Sequence, residues 1–126
     1  MNERKGTVLV VDDEDMALYV EILMLRRIGY NTLQASNSAE ACQLYRNEKD
    51  HIDLVVLDMI LPDENGATTY KVLKRINPDI KVLISTGYGT DENVQQILND
   101  SQNGLIQKPF KFKEFISKLE TILSIN

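Results

Sequence analysis

Several short apolar runs in this chain end in groups that can do chemistry. Val8-Leu9-Val10-Val11 leads into Asp12-Asp13-Glu14-Asp15, and Leu54-Val55-Val56-Leu57 leads into Asp58. Val82-Leu83-Ile84 is followed by Ser85-Thr86-Gly87, and Leu105-Ile106 by Gln107-Lys108-Pro109. Taken alone, Asp12 to Asp15 read as helix N-terminal acids that satisfy free N–H groups and the helix dipole. That reading does not cover Asp58, which sits at the mouth of a buried strand. Two carboxylates about 4 Å apart repel by roughly 4 kcal/mol at an effective dielectric near 20. A fold that gathers three of them needs a counter-charge. An all-oxygen donor set suits Mg²⁺, with Mn²⁺ possible, whereas no loop has the spacing of an EF-hand calcium site.

The lysine and the hydroxyl extend the idea. Lysines are ordinarily solvated, but Lys108 closes an apolar run and is followed by proline, so the backbone fixes its place. Thr86 alone would pass for an ordinary strand residue. Together with the acids, the set reads as a phosphoryl site. The cation and Lys108 would neutralise phosphoryl oxygens, Thr86 would donate a hydrogen bond, and a carboxylate would be the nucleophile, as in ATPases that form an aspartyl-phosphate. Phosphoryl transfer is mostly positioning and charge stabilisation, so few residues suffice.

Such groups converge only if the chain brings its strand ends together. The short runs, rich in Val and Ile, read as strands buried on both faces. Between them lie helical spacings: Leu18, Ile22 and Leu25, then Val94, Ile97 and Leu98, then Phe112, Phe115, Ile116, Leu119, Ile122 and Leu123. Asn37 followed by Glu40 resembles a capping box, Thr90 can cap the segment starting at Asp91, Gly29 can close the first helix, and Pro78 follows the third. The pattern predicts strands at 7–11, 32–35, 53–57, 81–85 and 104–107. It predicts helices at 14–28, 38–48, 66–76, 91–99 and 111–123. Five strand–helix units in alternation imply an α/β fold, a doubly wound parallel sheet with helices on both faces. Its ligand site belongs at the carboxyl ends of the strands, where the chemical groups stand.

Composition narrows the function. The chain has 126 residues, the size of one domain, with 43% hydrophobic and 26% charged residues, as in a globular protein. Its net charge of −5 makes direct nucleic-acid binding a poor expectation, since phosphate binding needs clustered Lys and Arg. One cysteine, Cys42, cannot form an internal disulfide. It reads as a small core residue, and the single histidine, His51, as a solvated loop residue. No signal peptide core and no membrane-length apolar stretch is present, so a cytoplasmic location without membrane insertion is expected. The whole of 1–126 is read as one domain without an attached output domain.

The four motifs, Val8 to Glu14, Leu54 to Met59 with Pro62 and Gly66, Ser85 to Tyr88, and Gln107 to Phe110, resemble the receiver domain of two-component response regulators. The resemblance runs from about Lys5 to Ile125 and is strongest to receivers of hybrid sensor kinases. It implies a flavodoxin-like fold with strand order 2-1-3-4-5 and five helices. Asp58 would accept a phosphoryl group from a phosphohistidine on a sensor histidine kinase or phosphotransfer domain. Asp13, Asp58 and the main-chain carbonyl of Ile60 would bind Mg²⁺ directly, with Asp12 acting largely through a metal-bound water. Thr86 would be the switch hydroxyl and Lys108 the phosphate-binding lysine. The Lys108–Pro109 bond would be cis. The chain would be a phosphoacceptor and not an enzyme in the ordinary sense, although it would assist its own phosphorylation and dephosphorylation. Many members carry an aromatic residue three positions before the lysine; here it is Leu105, so the relay is expected through the Gly87–Asn99 region.

Three other readings compete. A phosphorylation-independent interaction module of the same fold would not need the intact acids, Thr86 and Lys108. A flavin carrier would need a neutral phosphate loop after the first strand, where this chain has four acids. A metal-dependent phosphohydrolase would need a general acid near the nucleophile, and none has suitable spacing.

Overall fold

The computed structural model describes residues 5–87 and 91–125. In chain order the elements are β1 (Thr7–Val11), α1 (Asp15–Arg27), β2 (Asn31–Ala35), α2 (Ser38–Glu48), β3 (Leu54–Asp58), α3 (Gly66–Ile76), β4 (Val82–Thr86), α4 (Glu92–Leu98), β5 (Gly104–Gln107) and α5 (Phe112–Leu123). All strand pairs are parallel, and the order across the sheet is β2-β1-β3-β4-β5. This is the expected doubly wound arrangement. Its order changes direction at β1 and β3, the strands that lead to Asp12 and Asp58.

Side chains alternate across a strand, so each buried strand feeds two cores. Leu9, Val11, Val55, Leu57, Val82 and Ile84 face α2, α3 and α4, packing with Tyr45, Leu73 and Ile97. Val8, Val10, Leu54, Val56 and Leu83 face α1 and α5, packing with Leu25, Phe115 and Leu119. The apolar runs are continuous because both faces are covered. Cys42 is buried in the first core, and His51 is exposed in a single 3-10 turn (Lys49–His51). Among the described residues, no helix is long and apolar enough to cross a membrane.

Boundaries move by one or two residues from the pattern, and two shifts matter. Asp58 and Thr86 are the last residues of their strands and not the first residues beyond them. The ladder therefore fixes both backbones. Thr90 lies outside the described residues. The cap of α4 is Asp91, whose side chain accepts from the Val94 N–H at 3.0 Å. Asn37 caps α2 as expected, but Glu40 reaches back to the Ser36 N–H and not to that of Asn37. Gly29 closes α1 at φ +102°, a backbone region that side chains with a Cβ avoid.

Candidate functional site

The strand ends converge as the sequence suggests. Asp12 follows β1 and is pinned there by its own backbone, which donates to the Ala35 carbonyl at 3.1 Å. Its side chain is buried, accepting from the Glu14 N–H at 3.0 Å and from Lys108 Nζ at 2.8 Å. Asp13 is exposed beside it. Asp58 is half-buried; its Oδ1 accepts from the Ile60 N–H at 3.1 Å and its Oδ2 lies 3.4 Å from Lys108 Nζ. One carboxylate oxygen from each of Asp12, Asp13 and Asp58 lies within 4.8 Å of the others.

This donor set fits a divalent cation. Oxygens at about 2.1 Å from an octahedral Mg²⁺ are about 3 Å apart when adjacent and about 4.2 Å when opposite. At least two of the three pairs would have to be adjacent, so a bound ion would draw these carboxylates together by up to about 2 Å, a movement within the reach of side-chain rotation. Ile60 lies next to them, held by its bond to Asp58 and by a bridge to Asn65. Gly66 makes that tight turn possible: a Cβ there would lie 2.8 Å from the Met59 Cα. The Gly66 N–H donates to the Met59 carbonyl at 2.8 Å.

Lys108 is delivered from the end of β5. Its N–H donates to the Thr86 carbonyl at 2.7 Å, which continues the β4–β5 pairing past Gln107. The Lys108–Pro109 peptide is cis, as the resemblance implies. Burial works against the ammonium charge, but the hydrogen bond to Asp12 and the charges of Asp58, Asp12 and Glu21 outweigh it and raise its pKa. Burial raises the pKa of Asp58 against the opposing pull of the Ile60 N–H and Lys108. Thr86 and Ser85 are both buried, and the Ser85 hydroxyl has no hydrogen-bond partner among the described residues. Leu105 is half-buried and packs against the core beneath α2, α3 and α4.

One acidic residue of this region does not stand out in the motifs. Glu21, on α1, is only 2% exposed, and its Oε1 has no hydrogen-bond partner among the described residues. Burial, reinforced by the charge of Asp12, pushes its pKa up to about 8. The signal lies in the spacing: with Leu18, Ile22 and Leu25, position 21 completes an i, i+3, i+4, i+7 stripe. A carboxyl on the buried stripe of α1 is anomalous and lies within electrostatic reach of Asp12, Asp58 and Lys108.

Residues 8–120 match the family of response regulator receiver domains. The chain belongs to that family. It is 30% identical over 118 residues to the sensor kinase CckA of Brucella abortus, covering 94% of this chain and 12% of the kinase. A CheY-like receiver domain of Methanospirillum hungatei superposes with a TM-score of 0.86 at 27% identity, covering 94% of this chain and 93% of that one. A response regulator of Burkholderia pseudomallei, solved with a phosphorylated aspartic acid, calcium ion and citrate, superposes with a TM-score of 0.79 at 29% identity. That match covers 95% of this chain and 69% of the regulator. The receiver thus spans about an eighth of the sensor kinase it matches.

Proposed function

We propose that this receiver domain is a Mg²⁺-dependent phosphoryl switch in a phosphorelay, with Asp58 as the acceptor. The observation that carries this reading is the single ammonium of Lys108 placed between Asp12 and Asp58, beside the three clustered carboxylates. Lys108 is then positioned to follow negative charge from the carboxylate to a phosphoryl oxygen. The presence of a phosphorylated aspartate in the related Burkholderia regulator supports the chemistry.

In this reading Asp58 Oδ attacks phosphorus as the bond to a donor imidazole nitrogen breaks. The donor would be a phosphohistidine on a sensor kinase or phosphotransfer domain. Asp13, Asp58 and the Ile60 carbonyl would hold the cation, and Asp12 would act through its water. When bound, the cation supplies positive charge to the transferring oxygens. Lys108 orients and neutralises an oxygen, and the Thr86 hydroxyl would supply a donor to another. Phosphorylated Asp58 carries close to two negative charges and more acceptors than a carboxylate. Drawing Thr86 inward would pull on Gly87 and on α4, whose Val94 and Ile97 are seated in the core.

Incubation with acetyl phosphate and Mg²⁺ followed by intact mass tests the reading. The expected result is one added phosphoryl group, lost in Asp58→Asn and absent when the cation is chelated. No added mass on the folded wild-type protein would favour an interaction module instead.

A further inference from the structure

The loop from Met59 to Asn65 contains Ile60, whose N–H donates to Asp58 and whose carbonyl the proposed cation site would use. Met59 and Leu61 anchor it by burial, while residues 62–64 are exposed. Among the described residues, the hydrogen bonds that reach from residues 61–64 to another element end on one carboxylate. Asp63 Oδ1 accepts from the Ser38 N–H at 2.8 Å and Oδ2 accepts from the Ala39 N–H at 3.0 Å. These are the first two N–H groups of α2, twenty-five and twenty-four residues away in sequence.

The helix already has a local cap, because Asn37 accepts from the Glu40 N–H at 2.8 Å. Asp63 takes the two donors that this cap leaves. Both bonds draw its pKa below the ordinary carboxylate value. The tie continues in a closed ring. The Ser38 hydroxyl is 2.7 Å from that of Thr69, and Thr69 Oγ1 donates to the Asn65 carbonyl at 2.9 Å. Asn65 in turn is bridged to Ile60. The far side of the loop is therefore clamped between the first turns of α2 and α3.

We infer that Asp63 is a positioning residue: through the amino end of α2 it braces the loop that presents the Ile60 carbonyl to the cation. The inference rests on the proposed Mg²⁺ site. An anionic carboxylate on two helix N-terminal donors is a charge-assisted tie of the kind that shifts an equilibrium by about three- to tenfold. Asp63 touches neither the cation nor the phosphoryl group, so its effect reaches the site through the backbone alone.

Calorimetric titration with Mg²⁺ of wild type, Asp63→Ala, Asp63→Asn, Asp13→Ala and Ile122→Val tests it. Asp63→Ala is expected to weaken Mg²⁺ binding about three- to tenfold, and Asp63→Asn, which keeps one acceptor, to weaken it less. Ile122→Val loosens the opposite core without touching the loop and should leave the affinity unchanged. Should Asp63→Ala not fold, Asp63→Asn carries the comparison alone. Wild-type affinity in the Asp63 variants, with binding lost in Asp13→Ala, overturns the brace and leaves the cation site standing. An equal loss in Ile122→Val makes the effect one of general stability and also overturns it. A wild-type protein that binds no Mg²⁺ removes the proposed site and the brace with it.

Discussion

Replacing Glu21 by glutamine should stabilise the metal-free protein at neutral pH and leave it little changed in mild acid. Glu21 ionises near 4.5 when solvated and near 8 in the fold. Between those values the folded chain holds a proton that the unfolded chain has released. A raised acid pKa gives stability that is full below the unfolded value and is lost as pH rises towards the folded one. Each pH unit in that window removes about 1.4 kcal/mol. Going from the unfolded value to pH 7 therefore removes roughly 3 kcal/mol from the wild type. A glutamine side chain in that place would carry no charge at any pH and has nearly the shape of the protonated acid. Glu21→Gln should match wild type at pH 5 to within about 1 kcal/mol. At pH 7.5 it should exceed wild type by roughly 3 kcal/mol, or about 10 °C in melting temperature for a domain of this size. Urea unfolding at several pH values from 5 to 8, in the presence of a chelator, reads this directly. The chelator matters because a cation beside Asp12 would favour the ionised acid. Parallel pH profiles for the two proteins would refute the reasoning, and Glu21→Leu, which also removes the partnerless Oε1, gives an independent check.

Asp58→Asn should raise the melting temperature of the metal-free protein at neutral pH, because burial disfavours the Asp58 charge more than Lys108 and the Ile60 N–H support it; a lower melting temperature would contradict this. Saturating Mg²⁺ should stabilise the wild type by about 2.7 kcal/mol at one hundred times its dissociation constant, as mass action requires, and an unmoved melting curve would count against the cation site. In calorimetry Asp13→Ala should weaken Mg²⁺ more than Asp12→Ala, since Asp12 is already committed to Lys108 and to the Glu14 N–H; the reverse order would exchange their roles. A beryllofluoride complex should perturb amide signals of residues 91–99, and Thr86→Ala should lose that response while keeping the changes at Asp58; a full response in Thr86→Ala would defeat the relay.

Much of this was legible in the chain because burial on both sides of a parallel sheet leaves an unbroken apolar run. The runs at Val8 and Leu54 mark two neighbouring strands, and the polar residue ending each run marks the rim. That logic places Asp12, Asp58, Thr86 and Lys108 at one end of the sheet from residue types and order alone. Less was legible where a contact joins residues distant in sequence. Asp63 looks like a turn residue after Pro62, and nothing local shows that its carboxylate serves the first turn of α2. Tyr70 looks like one more apolar position, yet its hydroxyl donates to Asp100 at 2.6 Å and accepts from Asn103 at 2.8 Å, tying α3 to the turn after α4. Such pairings depend on how helices settle on the sheet, which periodicity does not encode.

Glu21 belongs to neither group. Its place on the buried stripe is readable, but its meaning depends on charge. Asp12, Asp13 and Asp58 carry three negative charges when ionised, and Lys108 returns one positive charge, which leaves two for a divalent cation to cancel. An ionised Glu21 would spoil that match and compete with Asp58 for the same ammonium. The proton that burial holds on Glu21 removes the competition and eases its repulsion with Asp12. A buried acid beside three other acids is thus tolerated because it is kept neutral at physiological pH. Raising the pH past about 8 should then weaken the hold of Lys108 on Asp58 before Lys108 itself loses its proton.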